Sequence, residues 1–155
     1  MSPSWEPVQI LLVEDSEADI ELTTEALADA RVANDLHVTR DGVEALAFLR
    51  NEPPHEHAPT PDLVLLDLNL PRKDGREVLE EVKADPQLRQ IPILVLTTSS
   101  AEADVLRSYE LHANSYITKP VRFDDFLRTV ASLEDFWLTV VKLPSRSQSS
   151  GGSLR

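Results

Sequence analysis

The chain has no cysteine, which excludes a disulfide framework and any thiolate metal site. It is also poor in positive charge, with 15 basic residues against 27 acidic ones and a net charge of −12. That balance disfavours grip on a phosphate backbone or an anionic bilayer, so neither nucleic acid nor membrane is expected as a direct partner. Long apolar runs are missing as well. The longest are four or five residues, far short of a membrane span. The opening stretch MSPSWEPVQ lacks the basic-then-apolar pattern of a signal peptide, which leaves a cytoplasmic globular protein as the expectation. At 155 residues, 41% hydrophobic and 27% charged, the chain is sized and composed for one domain with a full core.

Short apolar runs alternate with amphipathic stretches five times. The runs are Val8 to Val13, Leu36 to Thr39, Leu63 to Leu66, Ile93 to Leu96, and Tyr116 to Ile117. Runs without alternation, such as Leu63-Val64-Leu65-Leu66, suit strands buried on both faces of a parallel sheet. Between them stand helix-start pairs: Ser16 with Asp19, Asp41 with Glu44, Asp74 with Glu77, and Ser99 with Glu102. Ile20, Thr23, Leu27 and Ala30 repeat at helical spacing, and Asp85-Pro86 stops the third helix. The pattern is (βα)5. Right-handed crossovers make it an α/β doubly wound parallel sheet of strand order 2-1-3-4-5, with ligands expected at the carboxyl ends of the strands. Residues 51–61, NEPPHEHAPTP, read as an exposed proline-rich loop. Residues 1–143 form the expected domain, and the Ser/Gly-rich tail 144–155 is expected to be disordered.

The polar residues that end strands carry the chemistry. Glu14-Asp15 follows the first run, Asp67 the third, Thr97 the fourth, and Lys119-Pro120 the fifth. In the expected fold all converge at one edge of the sheet. Three adjacent carboxylates repel, burial raises their pKa values, and a divalent cation relieves both penalties. Oxygen-only ligands without nearby histidine or cysteine suit Mg²⁺ or Mn²⁺ over zinc.

The set Glu14-Asp15, Asp67-Leu-Asn-Leu-Pro71-Arg-Lys-Asp-Gly75, Thr97-Thr98 and Lys119-Pro120 resembles the receiver domains of two-component response regulators, which have a flavodoxin-like fold. The resemblance covers roughly residues 8 to 142, with four elements in register. It implies that Asp67 accepts a phosphoryl group from a partner histidine kinase. It further implies a metal site of Asp15, Asp67 and the Asn69 carbonyl, with Glu14 acting through water. Lys119 and Thr97 would bind the phosphoryl group, Thr98 would limit access to it, and Tyr116 would be the switch aromatic. Lys119-Pro120 is expected to be cis. The proline loop, Thr97-Thr98-Ser99-Ser100 and the segment SLEDFWLTVVKLP also look like the small regulators paired with phytochrome histidine kinases.

Other readings compete. An aspartyl-phosphate phosphohydrolase needs a second carboxylate two residues after its nucleophile, and Asn69 stands there instead. A transcription factor needs a DNA-reading domain, for which the tail is too short. A vestigial site fits poorly with a complete acid, threonine and lysine set. Whether such a regulator delivers output, drains phosphoryl groups as a sink, or relays them for another histidine kinase stays open. His55 and His57 lie in a loop without further ligands, so a metal role is disfavoured; His37 and His112 read as ordinary surface residues. Arg72-Lys73 suits a kinase contact or a solvated turn equally.

The final helix carries two apolar stripes. Phe123, Leu127, Val130, Trp137 and Val141 face the sheet, while Leu133, Phe136, Val140 and Leu143 form a second stripe. The second has the phasing of a helix–helix seam, which implies a homodimer; the other reading folds it back on its own domain, against Trp5.

Overall fold

The computed structural model describes residues 7–28, 33–98 and 115–131. Its strands are β1 (Val8–Val13), β2 (Asn34–Thr39), β3 (Leu63–Asp67), β4 (Ile93–Thr97) and β5 (Ser115–Thr118). Its helices are α1 (Glu17–Ala28), α2 (Gly42–Leu49), α3 (Gly75–Ala84) and α4 (Phe123–Ala131). The sheet has the order β2-β1-β3-β4-β5, parallel throughout, as expected for the doubly wound fold. The helix expected after Ser99, His112, Trp5, Ala30, the seam residues Leu133, Phe136, Val140 and Leu143, and the tail lie outside the described residues. Among the described residues no helix is long and apolar enough to cross a membrane.

Strand alternation divides the core in two. Leu11, Val13, Val64, Leu66, Ile93 and Val95 point to one face, where Leu46, Phe48, Val78, Leu79 and Val82 from α2 and α3 cover them. Ile10, Leu12, Leu63, Leu65, Leu94 and Leu96 point to the other, beneath Ile20 and Leu27 of α1 and Phe126 of α4. Both faces are buried, so the central strands read as unbroken apolar runs.

The strands reach further than their apolar runs. β2 starts at Asn34, two residues before Leu36, because Val8 and Gln9 pair with Asn34 and Asp35. There Gln9 Nε2 also donates to Asp35 Oδ2 at 3.0 Å. An edge strand is half exposed, and polar residues can occupy it. Asp67, Thr97 and Thr118 likewise belong to the ladders: Asp67 pairs with Leu96, and Thr97 with Thr118.

The helix starts follow the sequence. Ser16 Oγ accepts from the Asp19 N–H, Asp41 Oδ1 from the Glu44 N–H, and Asp74 with Glu77 forms a reciprocal capping box. Helix α3 ends at Asp85, extended before Pro86. The proline loop is mostly exposed, yet it is anchored. Asn51 Nδ2 donates to the His55 and Ala58 carbonyls at 3.2 and 2.8 Å, and the His55 ring packs on Phe48. The Pro53-Pro54 bond is cis.

His37 corrects an expectation. It is half-buried rather than an ordinary surface residue, because it pairs with Leu11 on the face that Phe48 covers. Its Nε2 hydrogen-bonds Gln9 Oε1 at 2.7 Å.

Gly42 opens α2 against the loop that follows Asp67. A Cβ there would lie 2.0 Å from the Lys73 carbonyl oxygen and 2.8 Å from Val78 Cγ2. Backbone on one side and core on the other leave it no room. Gly42→Ala is therefore expected to lower stability by about 1–3 kcal/mol, the usual cost of overpacking, read from urea unfolding. Val43→Ala, next to it but exposed, should change stability by less than about 0.5 kcal/mol.

Candidate functional site

Register delivers the polar residues to one edge. Val13 pairs with Leu66, so Glu14 leaves β1 beside Asp67 at the end of β3. The Lys119 N–H donates to the Thr97 carbonyl at 2.7 Å, which joins the ends of β4 and β5. Carboxylate oxygens of Glu14, Asp15 and Asp67 lie within 4.8 Å of one another. Glu14 and Asp67 are buried, at 1% and 3% exposure, while Asp15 faces solvent and leaves the cluster open on one side. This donor set is hard, anionic and oxygen-only, and it fits Mg²⁺ or Mn²⁺.

The ammonium of Lys119 holds the cluster together. It donates to Glu14 Oε1 at 3.0 Å, Asp19 Oδ2 at 3.0 Å and Asp67 Oδ2 at 3.3 Å. Two backbone N–H groups add support: Ser16 donates to Glu14 Oε2 at 3.2 Å, and Asn69 donates to Asp67 Oδ1 at 3.1 Å. The Lys119-Pro120 bond is cis, as expected. Thr97 is buried at the end of β4, Thr98 is exposed, and Tyr116 is half-buried against the core face of α2 and α3.

Asp19 is the member that the sequence did not bring forward. Its backbone takes the Ser16 cap while its side chain turns to Lys119. The available signal was a further carboxylate, after Glu17, within the turn that follows Glu14-Asp15.

The loop after Asp67 is closely held. A Cβ on Gly75 would lie 2.6 Å from the Asp67 carbonyl oxygen, so only glycine lets α3 start against the backbone of Asp67 itself. Arg72, at φ 68°, reaches Asp41 at 3.2 Å, and Lys73 pairs with Glu81. These two ion pairs tie the turn to the start of α2 and to α3. Among the described residues His55 and His57 join no group of potential metal ligands; His55 Nε2 lies 3.6 Å from Glu44.

Burial, reinforced by the charge of Asp67, pushes the Glu14 carboxyl from its ordinary 4.5 up to about 7, against the Lys119 and Ser16 hydrogen bonds. Burial alone would lower Lys119, but its bonds to Glu14 and Asp19 and the nearby carboxylate charge outweigh that and hold its ammonium above the ordinary range. The folded chain therefore binds the Glu14 proton more tightly than the unfolded chain. The stability from this proton is present at low pH and is lost as pH rises from 4.5 through about 7. In chelator, the melting temperature should rise as pH falls from about 7.5 to about 5, and Glu14→Gln should remove that part of the slope. A wild-type slope matched by Glu14→Gln would contradict it.

The chain matches the response regulator receiver domain family over residues 10–131. Response regulator Rcp1 of Synechocystis sp. is 51% identical over 139 residues, covering 90% of this chain and 95% of Rcp1. Its Mn²⁺-bound form superposes with a TM-score of 0.70, covering 90% of this chain and 100% of that one. The phosphorylated cyanobacterial phytochrome response regulator RcpA gives a TM-score of 0.71 at 51% identity, with the same coverage. The bacteriophytochrome response regulator AtBRR gives 0.79 at 46% identity, covering 85% of this chain and 96% of its own. With this match over most of its length and relatives of 46–51% identity, the chain belongs to the response regulator receiver domain family.

Proposed function

We propose that this chain is a phosphoryl switch in which Asp67 is the acceptor, supplied by a partner histidine kinase. One observation carries the reading. The Asp67 carboxylate sits at the sheet edge, bonded to Lys119 and within 4.8 Å of two further carboxylates. A carboxylate so placed is a competent nucleophile toward phosphorus: its oxygen bonds to phosphorus, the phosphorus–nitrogen bond of the kinase phosphohistidine breaks, and imidazole leaves, giving an acyl phosphate on Asp67. Lys119 follows the charge from carboxylate to phosphoryl oxygen, and the Thr97 hydroxyl donates to a second oxygen. Tyr116, three residues before Lys119, is positioned to register the movement of β4 and β5.

Asp15, Asp67 and the Asn69 carbonyl would hold Mg²⁺ or Mn²⁺, with Glu14 acting through water. The ion would neutralise the acidic edge and the charge on the transferring group. The Mn²⁺-bound form of Rcp1 supports that choice. The phytochrome regulators among the relatives support a phytochrome kinase, such as a bacteriophytochrome, as donor. The domain we assign to residues 1–143 works in the cytoplasm and binds no nucleic acid or membrane directly. It is a phosphoacceptor with assisted self-phosphorylation rather than a conventional enzyme, and Asn69 in place of a second acid argues against a phosphohydrolase.

Acetyl phosphate with Mg²⁺ should add one base-labile phosphoryl group, and Asp67→Asn should abolish it, by intact mass. Asp15→Asn should weaken Mg²⁺ binding, raising the Mg²⁺ needed for labelling by at least about tenfold, while raising metal-free melting, because it removes one repelling charge. Label retained on Asp67→Asn at another residue would overturn the assignment.

The stripe Leu133, Phe136, Val140 and Leu143 supports a homodimer through the final helix. Light scattering at tens of micromolar should show a dimer that Phe136→Glu with Val140→Glu dissociates. A monomeric wild type would refute the seam.

A further inference from the structure

Lys119 has three N–H donors, and three carboxylates take them. Asp19 is the odd member of that set. Glu14 and Asp67 are almost wholly buried and belong to the group able to hold a cation; Asp19 is 29% exposed and lies outside that group. It stands in the first turn of α1, where the helix dipole already favours a carboxylate, so its own stability does not require the lysine. Yet its bond to Lys119, at 3.0 Å, is shorter than the lysine's bond to Asp67 at 3.3 Å. Asp19 also adds one more negative charge to a cluster in which carboxylates already outnumber ammonium.

Resting on the phosphoacceptor reading above, we infer that Asp19 is a charge gate on Asp67, holding part of the Lys119 charge away from incoming phosphoryl donors. The reaction it governs is a simple exchange. A carboxylate oxygen of Asp67 bonds to phosphorus as the bond from phosphorus to the donor breaks: in an acyl phosphate the bridging oxygen leaves as carboxylate, and in phosphoramidate the protonated nitrogen leaves as ammonia, each with the electron pair. Donor and transition state bring the same anionic group to the same place, so Asp19 opposes both. Its effect falls on KM and on the rate at low donor, with turnover little changed. A protein donor offsets this penalty with contacts far from the phosphoryl group; a small free donor has none. Asp19 therefore selects against small, doubly charged phosphoryl donors.

The test uses the full chain at saturating Mg²⁺ with two donors, acetyl phosphate and phosphoramidate, the second carrying one negative charge less near neutral pH. Asp19→Asn keeps the size and an acceptor oxygen but removes the charge. It should raise the rate at low acetyl phosphate by about three- to tenfold, as for one partly screened charge a few ångströms away. The gain should be smaller with phosphoramidate, and Asp19→Glu, which keeps the charge, should stay within about twofold of wild type. An unchanged rate in Asp19→Asn, an equal gain with both donors, or Asp19→Glu behaving like Asp19→Asn would each overturn the gate. Those outcomes leave the acceptor assignment standing when wild type is labelled and Asp67→Asn is not. A wild type that takes no label overturns both.

Discussion

Carboxylates from the end of β1, the first turn of α1 and the end of β3 meet at a single ammonium, that of Lys119. Without it, Glu14 and Asp67 would be near-neighbour anions almost out of reach of water. Desolvation of such a pair is costly, and Coulomb attraction offsets it only when the geometry is good and the remaining lone pairs find donors. Here the Ser16 and Asn69 backbone N–H groups supply those donors. Even so, one lysine cannot balance the acids, and Glu14 keeps its proton toward neutrality. The site is built with a deficit of positive charge, and that deficit is what makes it receptive to a divalent cation.

The fold was legible in the sequence because the central strands are buried on both faces. Leu63–Leu66 and Ile93–Leu96 have no polar face to confuse the pattern, and the strand order and the two-sided core agree with it. β2 was harder to bound. As an edge strand it takes Asn34 and Asp35 into its ladder, and its polar start hides where pairing begins. The site was legible for a related reason: Asp67, Thr97 and Lys119 interrupt or follow apolar runs at places where a loop residue has no reason to be.

What the sequence withheld depended on distant partners. Asp19 satisfies a local pattern, Ser16 with a side chain three residues on, and nothing nearby betrays that its carboxylate belongs to a lysine 100 residues away. Gly42 looks like an ordinary helix start, yet its requirement is set by the Lys73 carbonyl pressed against it from another loop. His37 sits in an edge strand of the described sheet, and its burial follows from Phe48 packing against it and from its bond to Gln9.

The same polar character of β2 bears on how copies of this chain can associate. A sheet ends in unpaired N–H and C=O groups, and an apolar, regular edge strand invites another chain to extend the sheet. β2 presents Asp35 and the half-buried His37 along a six-residue strand that follows β1 on one side alone. Two such edges brought together would set polar and charged side chains in the seam, and in the register that pairs Asp35 with its copy carboxylate would face carboxylate. Strand-to-strand fusion through β2 is thereby discouraged, and the sheet stays closed to extension from that side.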